Sequence, residues 1–431
     1  MYALRPAFDT VADMIGKGKK VPESLLEIFA QNPEYSAKLD SLINAKDKVP
    51  FKIFDKKNAE KLFGKNLNIS ASQLEKFNLC RFSYFCNYGL NVRERQRAEI
   101  NSMQYGTIVH YILERFFGEY TKEEYLSLEE DKFQKIVCAY LAEYAVKYFG
   151  EEQLESNSFT YRLKTILDNV MYLMKHIMEE LSQSEFFVAD CELKIGEDIP
   201  SYTIVLPDGH KIAVCGSVDR VDIMQRADIT YLRIIDYKTG TKQFKLSDIL
   251  YGINLQMLLY LHSIEASGGD KYGEIVPAGI LYMPATVPYI SSDSLKSIDK
   301  LPDELNKKLK MNGLLLKDTE IIHGMDKTDA ATYIPVKIKA GEPVSSTSLA
   351  TLAEFGKIFK KVDMLIAEMG KNIYNGNIEA KPLKGGHDSC EYCPYDSVCA
   401  YRQSNPITCF SVDNKTVIEE ITNEINGKEE E

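Results

Sequence analysis

The sequence predicts an α/β fold in which a mixed β-sheet is flanked by helices. Three segments rich in β-branched and aromatic residues follow one another between 202 and 240, with turn-forming residues between them. A long apolar helix and a further strand come directly after them, an order that is typical of a mixed sheet. The chain is 45% hydrophobic and 27% charged, which suits a globular protein with a large core.

The first part of the chain is predicted to be helical. Residues 1–65 have polar breaks and no recognisable chemistry, so we assign them to a helical connector or remnant. Residues 103–118 form an amphipathic helix, and residues 130–185 contain two or more further helices with acidic segments between them. The stretch from about 120 to 190 is therefore a helical insertion ahead of the strands.

The strands are predicted in the central third of the chain. The segments "YTIVL", "KIAVCGSVDRVDI" and "ITYLRIIDYKTG" form a three-stranded antiparallel meander. A helix at about 247–266, a strand at 276–285 and a helix near 350–375 follow, and the final "INGKEEE" is expected to be disordered. The expected organisation is a connector (1–65), a core domain (66–405) and a partly disordered tail (406–431).

Composition excludes some classes of protein. No apolar run reaches the length of a membrane span and the N-terminus lacks a signal-peptide pattern, so we expect a cytoplasmic protein without membrane contact. The net charge of −11 does not by itself indicate nucleic-acid binding. In residues 81–97, however, arginines alternate with aromatic residues, which suits a phosphate backbone with unstacked bases or, equally, a solvated helix end.

Two aspartates and a lysine are candidates for a hydrolytic site. Asp236 and Lys238 end one strand on the same face, because side chains in a strand alternate. Asp219 lies on the adjacent strand of the meander, and two converging carboxylates need a counter-charge such as a divalent cation. Lys238 can then hold a phosphate or polarise a water. Asp222 is out of phase and ranks second, and a surface ion pair is the alternative for Asp236 and Lys238.

Two helices carry further candidates. His110 and Glu114 lie one turn apart, just beyond the apolar arc of their helix, where the imidazole can complete the coordination of a metal or serve a structural role. Gln256 and Tyr260 share one face of an almost wholly apolar helix. A buried glutamine must be hydrogen-bonded, so Gln256 either bridges backbone groups or orients a water or carboxylate, with Tyr260 near the phosphate or a base.

The cysteines indicate buried thiols or metal ligation instead of disulfides. Nine cysteines are an odd number, and three of them form the closely spaced set Cys390, Cys393 and Cys399. A four-sulfur site needs one more ligand: Cys80 is the first candidate, with Cys86 and Cys409 as alternatives. Spacing does not distinguish an iron–sulfur cluster from tetrahedral zinc. With Cys80 as the fourth ligand, the site would link distant parts of the chain.

These motifs together resemble a known family. His110 with Glu114, "GSVDRVD", "DYKTG", the Gln256–Tyr260 pair and the four cysteines occur in this order in RecB-like nucleases of the PD-(D/E)XK superfamily. The chain is most similar to the C-terminal nuclease domain of AddB-type subunits of helicase–nucleases, over about residues 65–405. The resemblance implies a PD-(D/E)XK core and a structural [4Fe–4S] cluster on Cys80, Cys390, Cys393 and Cys399.

The resemblance also implies an activity. It assigns catalysis to His110, Asp219, Asp236 and Lys238, and it assigns Mg²⁺ or Mn²⁺ to the first three and the main-chain carbonyl of Tyr237. We therefore expect a metal-dependent deoxyribonuclease, an exonuclease or end-processing enzyme acting on single-stranded DNA or DNA ends in double-strand break repair and recombination. An AddA-type helicase–nuclease subunit is a possible partner.

The chain departs from the family pattern in two ways, and two other functions are alternatives. Arg81 stands where the family has proline, and only some 65 residues precede the nuclease-like region, so we expect an excised domain or a stand-alone relative. The first alternative function is a CRISPR-associated iron–sulfur exonuclease, against which the helical insertion at 120–190 argues. The second is a non-catalytic module that binds DNA ends, against which the intact Asp219, Asp236 and Lys238 argue.

Overall fold

The structure is a computed structural model that describes residues 4–45, 52–93, 102–150, 156–240, 242–288, 301–345, 347–399, 401 and 406–429. The chain divides into two units. Unit 1 combines Met1–Lys65, Glu75–Glu94 and Glu368–Phe410, and unit 2 combines Asn66–Leu74, Arg95–Ala367 and Ser411–Glu431. The contiguous boundaries expected from the sequence do not coincide with these units. No helix in the described ranges is long and apolar enough to cross a membrane.

The helices cover most of the segments that the sequence predicts as helical. In chain order they are α1 (Leu4–Gly16), α2 (Glu23–Ala30), α3 (Ser36–Ala45), α4 (Lys56–Phe63), α5 (Ala71–Leu79), α6 (Arg81–Tyr84), α7 (Ser102–Glu119), α8 (Lys122–Leu126), α9 (Glu130–Phe149), α10 (Asn157–Ser182), α11 (Gln256–Ser267), α12 (Gly269–Tyr272), α13 (Leu301–Leu309), α14 (Thr319–Met325), α15 (Leu352–Tyr374) and α16 (Asn414–Glu429). A short 3₁₀ helix, Leu246–Tyr251, precedes α11. The predicted basic segment 81–97 extends beyond the described residues after 93.

Thirteen strands are present in the described residues. In chain order they are β1 (Leu67–Ile69), β2 (Phe187–Ile195), β3 (Thr203–Val205), β4 (Lys211–Val214), β5 (Gly216–Arg226), β6 (Ile229–Lys238), β7 (Glu274–Pro284), β8 (Asn312–Leu316), β9 (Lys337–Lys339), β10 (Glu342–Val344), β11 (Leu349–Ala350), β12 (Leu383–Gly385) and β13 (Ile407–Cys409). Unit 2 is built on a six-stranded sheet with the order β11-β8-β7-β6-β5-β2. Because β6 pairs with β7 in parallel and with β5 antiparallel, the sheet is mixed, as predicted.

The predicted meander is wrong in its first strand. β3 pairs with β4 in a separate three-stranded sheet that includes β1, and the neighbour of β5 in the main sheet is β2. The predicted helical insertion runs to about 190, so it is wrong for the first residues of β2, and no element is predicted for the rest of this strand. Six consecutive residues of β2 are exposed or partly buried, without the alternation that marks a strand. The single predicted strand at 211–223 is also interrupted at Cys215, between β4 and β5. At the next residue, Gly216, any Cβ would collide with the side chain of Tyr260.

The apolar helix α11 forms the core beside the main sheet. Every residue from Met257 to Ile264 is buried, so this helix has no solvent-facing side along most of its length. It packs against β7 and β6, and its first residue, Gln256, lies at the end of the helix that faces the carboxyl end of β6. The predicted strand at 276–285 and helix at 350–375 are found as β7 and α15.

Unit 1 joins residues that are far apart in the sequence. Its helices α1, α2 and α3 enclose a small core centred on Phe8 and Phe29. The backbone N–H of Ile53 donates to the carbonyl of Gly376 at 2.7 Å, and the Tyr374 hydroxyl donates to the carbonyl of Lys65 at 3.0 Å. The strands β12 and β13 pair in parallel near the end of the unit.

The segment expected to be a partly disordered tail is mostly ordered. After β13 the chain forms α16, in which Val417 and Ile421 are fully buried. Lys361 of α15, itself buried, makes an ion pair with Glu424 at 2.5 Å. This helix has an apolar stripe of only a few residues, and the residues around it are mostly charged or polar. The sequence therefore indicates disorder where the structure has a helix.

Four fully buried charges connect α10 to the two central strands. Arg220 of β5 binds Asp222 through two parallel hydrogen bonds of 2.8 Å each, and its Nη2 lies 3.1 Å from Glu180 of α10. Arg233 of β6 binds the same two carboxylates at 2.6 Å and 2.9 Å. We call these four residues the buried charge network. Asp222, the second-ranked metal candidate, therefore serves as a counter-ion inside the core.

The charges of the network compensate one another, because it contains two guanidinium groups and two carboxylates. Burial would raise the pKa of the Asp222 carboxyl, but the guanidinium groups of Arg220 and Arg233 hold it below its usual range. Taking ions out of water is costly, and only the complete set of partners offsets that cost. The Arg220 Nη1 also lies 3.3 Å from the hydroxyl of Tyr237, so the network extends to the strand end where the predicted site lies.

Replacing Arg220 with methionine is expected to lower the free energy of unfolding by about 3–5 kcal/mol, because it leaves buried carboxylates without their counter-ion. The matched control is Arg226→Met on the same strand, whose side chain is 52% exposed and pairs with Glu185. That change is expected to cost at most about 1 kcal/mol. Urea unfolding of both variants measures the difference, and equal losses would contradict a special role for the network.

Candidate active site

The two aspartates predicted from the sequence lie side by side at the end of the main sheet. The antiparallel register pairs Arg220 with Ile235, so the next residues along, Asp219 and Asp236, come opposite each other. The backbone N–H of Tyr237 donates to Asp219 Oδ2 at 2.9 Å, which fixes the first carboxylate against the strand that carries the second. Asp236 is 2% exposed, so its charge sits in a largely water-free corner.

His110 of α7 reaches the same corner together with a residue that the sequence did not reveal. Its Nε2 lies 3.5 Å from Asp219 Oδ2, and its Nδ1 lies 2.9 Å from Glu192 Oε1. The second oxygen of Glu192 accepts a hydrogen bond of 2.8 Å from the Ser217 hydroxyl. Glu114, the predicted companion of His110, is exposed to solvent. Glu192 on β2 takes that place instead.

The backbone of Glu192 is strained. Its φ of +52° lies in the left-handed region, which a non-glycine residue seldom adopts within a strand. Such strain costs on the order of 1–3 kcal/mol and persists where surrounding contacts impose it. Here the bonds to His110 and Ser217 hold the side chain. The only signal in the sequence is an acidic residue in a β-prone segment. Glu192 could be recognised as a site residue only if β2 were first predicted as a strand next to β5.

Lys238 and Gln256 both contact Asp236. The ammonium group of Lys238 lies 2.5 Å from Oδ2, and the amide of Gln256 donates to Oδ1 at 3.1 Å. Oδ2 is buried, and the ammonium group of Lys238 is its charge partner. Gln256 thus orients a carboxylate, which is one of the two roles weighed for it.

Two tyrosines predicted at the site contribute in different ways. The ring edge of Tyr237 packs on the His110 ring with centroids 5.7 Å apart, while its hydroxyl meets Arg220. Tyr260 is 5% exposed, and its hydroxyl packs on Gly216 and accepts a hydrogen bond from the backbone N–H of Ala71. These contacts give Tyr260 a packing role between β5 and the start of α5.

Asp219, His110 and Glu192 have displaced pKa values. Burial, and then the neighbouring charge of Asp236, raise the pKa of Asp219 to about 7. Burial would lower the pKa of His110, but the hydrogen bond to Glu192 and the charge of Asp219 raise it above its usual value. Glu192 shifts the other way: burial opposes its charge, yet His110 and Ser217 hold its pKa below the usual range. Two neighbouring carboxylates, Asp219 and Asp236, therefore repel each other here.

The corner has the composition of a cation site. One ligand atom each from His110, Glu192 and Asp219 can be chosen so that all lie within 4.8 Å of one another. Two carboxylate oxygens with one imidazole nitrogen suit a divalent cation.

In unit 1, the four predicted cysteine ligands lie in one neighbourhood. Burial raises the pKa of Cys80 and Cys390, and the charges of nearby cysteines raise it further. The pKa of Cys399 rises to about 11, chiefly by burial but also through Cys80, Cys393 and Cys390. Cys86 is affected by Cys393 and Cys80, so it stays an alternative ligand. Within the described residues, no three of these thiols lie within 4.8 Å of one another.

Comparison with known proteins gives a family match across most of the chain. Residues 68–400 match the family described as the PD-(D/E)XK nuclease superfamily. The chain is 35% identical to a Clostridium kluyveri protein named as the B subunit of an ATP-dependent helicase/deoxyribonuclease, over 88% of this chain and 34% of that protein. It is 32% identical to the protein of the same name from Ruminiclostridium cellulolyticum, over 94% of this chain and 37% of that protein.

A third relative with the same name, from Thermoanaerobacter sp. strain X514, is 34% identical over 79% of this chain and 30% of its own length. The chain therefore spans about a third of the length of the curated relatives it matches. The resemblance inferred from the motifs is confirmed, and so is the mixed α/β fold.

Replacing Asp219 with asparagine is expected to stabilise the metal-free chain at pH 8 by about 2 kcal/mol, because it removes a buried charge beside Asp236. The folded chain holds this carboxyl at a higher pKa than the unfolded chain does. Ionising it therefore costs stability progressively between about pH 4 and pH 7 and fully above that. The advantage of the variant should be absent near pH 4 and level off above pH 7.

Denaturant unfolding in EDTA across this pH range measures the effect. Asp228→Asn, an exposed aspartate in the turn between β5 and β6, is the control and should change little. A stabilisation that does not depend on pH would show that charge repulsion is not its cause.

Proposed function

The chain belongs to the PD-(D/E)XK nuclease superfamily, and we propose that it hydrolyses phosphodiester bonds of DNA at the corner formed by His110, Asp219, Asp236 and Lys238. The observation that carries this proposal is the meeting of two buried aspartates on adjacent strands with an imidazole and an ammonium group. The relatives are named deoxyribonuclease subunits, which supports DNA as the substrate. Single-stranded DNA and DNA ends, in break repair and recombination, are the proposed targets.

We assign a divalent cation, Mg²⁺ or Mn²⁺, to His110 Nε2, the carboxylates of Asp219 and Asp236 and the main-chain carbonyl of Tyr237. The spacing of the ligand atoms of His110 and Asp219 supports the first two ligands. The strand register that brings Asp236 opposite Asp219 supports the third. When bound, such a cation lowers the pKa of a coordinated water and offsets the charge that develops on the phosphate.

Glu192 has the role of orienting His110. Both of its oxygens are occupied, one by the imidazole Nδ1 and one by Ser217, which suits a carboxylate outside the ligand set. A hydrogen bond from Nδ1–H to Glu192 leaves Nε2 with its lone pair facing Asp219. Strained backbone at Glu192 is then the consequence of holding one tautomer in place.

Lys238 and Gln256 divide the work around Asp236. Gln256 holds Oδ1, so the carboxylate presents Oδ2 toward the corner. The ammonium of Lys238 pairs with that oxygen and can turn to the phosphate or the attacking water once another cation shares the carboxylate. Asp219 must lose its proton to bind a cation, and its raised pKa makes that loss dependent on pH near neutrality.

A structural [4Fe–4S] cluster is proposed on Cys80, Cys390, Cys393 and Cys399, with zinc as the alternative. The mutual influence of these thiols on their pKa values supports a common site. Such a site ties the end of α5 to a segment far along the chain. The relatives are named as one subunit of a helicase/deoxyribonuclease, so we propose an AddA-type subunit as a partner.

Replacing Asp236 with alanine is expected to reduce cleavage of linear single-stranded DNA in Mg²⁺ or Mn²⁺ at least about 100-fold, because the cation and Lys238 lose their shared carboxylate. Release of labelled nucleotides measures the rate. The control is Glu114→Gln, an exposed acid one turn from His110, which should retain activity. Cleavage that survives in Asp236→Ala rejects the site, and binding without cleavage by the unchanged protein indicates a DNA-end-binding module.

Replacing Cys80 with serine is expected to abolish the iron and acid-labile sulfide content of anaerobically purified protein, since a cluster rarely survives with three thiolates. Cys138→Ser, on α9 of the other unit, should leave both unchanged. Metal analysis with a visible absorption spectrum makes the measurement. Zinc in place of iron and sulfide, lost in the same variant, would replace the cluster with a zinc site.

A further inference from the structure

A second lysine lies beside the catalytic strand end. Lys242 follows β6 by four residues, and its ammonium group lies 5.0 Å from the centroid of the Tyr282 ring. The ammonium group of Lys238 lies 6.0 Å from the same centroid. Tyr282 of β7 pairs directly with Asp236 in the sheet. The two lysines therefore share one aromatic support next to the proposed catalytic carboxylate.

The loop that carries Lys242 is fastened to the sheet. Asn312, the first residue of β8, accepts a hydrogen bond of 2.8 Å from the Phe244 N–H through its side-chain oxygen. Its amide donates to the carbonyl of Lys242 at 3.0 Å. A single side chain thus clamps the backbone on both sides of Gln243. A lysine usually loses much rotamer freedom when it binds a ligand, and this clamp together with the ring reduces that loss.

The ring below the lysines is itself rigid. Tyr282 is 1% exposed, so its face is not open for stacking with a base. A cation within about 6 Å of such a ring is attracted by its electron density, which helps to fix the position of the charge. The ring therefore holds both ammonium groups in defined positions.

We propose that Lys242 binds the phosphate that neighbours the scissile one, so that Tyr282 supports two adjacent phosphate subsites. The inference rests on the proposed nuclease function. Lys238 pairs with Asp236 and serves the reacting phosphate. Lys242 lies beyond the end of β6, next to Tyr282 of β7 and Asn312 of β8, which pair with each other. A chain whose net charge is −11 needs local positive charge to hold a polyanion, and Lys242 adds a positive charge beside the site.

The test compares Lys242→Gln with Lys245→Gln, an exposed lysine of the same loop that removes an equal charge. Binding of a fluorescent single-stranded oligodeoxynucleotide is measured by anisotropy in EDTA over a range of salt concentrations. We expect Lys242→Gln to weaken binding about fivefold and to reduce the magnitude of the salt slope by about 0.7, as for one lost phosphate contact. Lys245→Gln should match the unchanged protein, and Lys242→Arg should retain most of the affinity.

Cleavage in Mg²⁺ provides the second readout. Lys242→Gln should raise KM and leave kcat within about twofold, since a neighbouring phosphate contributes binding that is equal in the ground and transition states. If the unchanged protein cleaves DNA and Lys242→Gln behaves like Lys245→Gln in affinity, slope and KM, the subsite is wrong and the nuclease assignment stands. A lower melting temperature with unchanged binding also rejects the subsite. If the unchanged protein neither binds nor cleaves DNA, both proposals fail.

Discussion

The buried charge network is the constraint on which the candidate site depends. Arg220 and Asp222 of β5 point to the opposite face of the sheet from Asp219. In the same way, Arg233 and Tyr237 of β6 point to the opposite face from Asp236. Slipping one of these strands by one residue would therefore turn its network residues toward the wrong face and separate the two aspartates. Glu180 closes the network from α10, so a helix far from the corner takes part in fixing it. The ion pairs of the buried charge network on one face of the strands therefore stabilise the strand pairing that holds the two repelling aspartates together on the other face.

The corner combines two features that cost stability in the metal-free protein. Asp219 and Asp236 repel each other, and Glu192 adopts a strained backbone. A bound cation would offset the repulsion between the two carboxylates. Such a site is preorganised for charge that arrives with the ligand.

Local patterns in the sequence predicted much of the site. The alternation in β6, the placement of Asp219 on the adjacent strand and the buried glutamine of α11 all follow from periods of two and 3.6 residues. Partners distant in sequence could not be found that way. Glu192 lies on a strand without alternation, and the ligands of Arg220 include Glu180, which lies on another helix. The sequence pattern places Tyr260 near the phosphate because it shares a helix face with Gln256. Its contact with Gly216 arises from the close approach of α11 to β5, which periodicity cannot predict.

The discontinuity of unit 1 has a consequence for how the chain is made. The segment that ends with Cys80 and its neighbours meets its partners only after Glu368–Phe410 has been synthesised, roughly 300 residues later. At translation rates of about 5–20 residues per second, these residues wait on the order of 15–60 s on the ribosome. The core of unit 2 is complete before then except for its last helix. A nascent chain therefore exposes thiols and aromatic residues to solvent while they are unpaired, which makes the order of synthesis, and not only the final contacts, a determinant of yield.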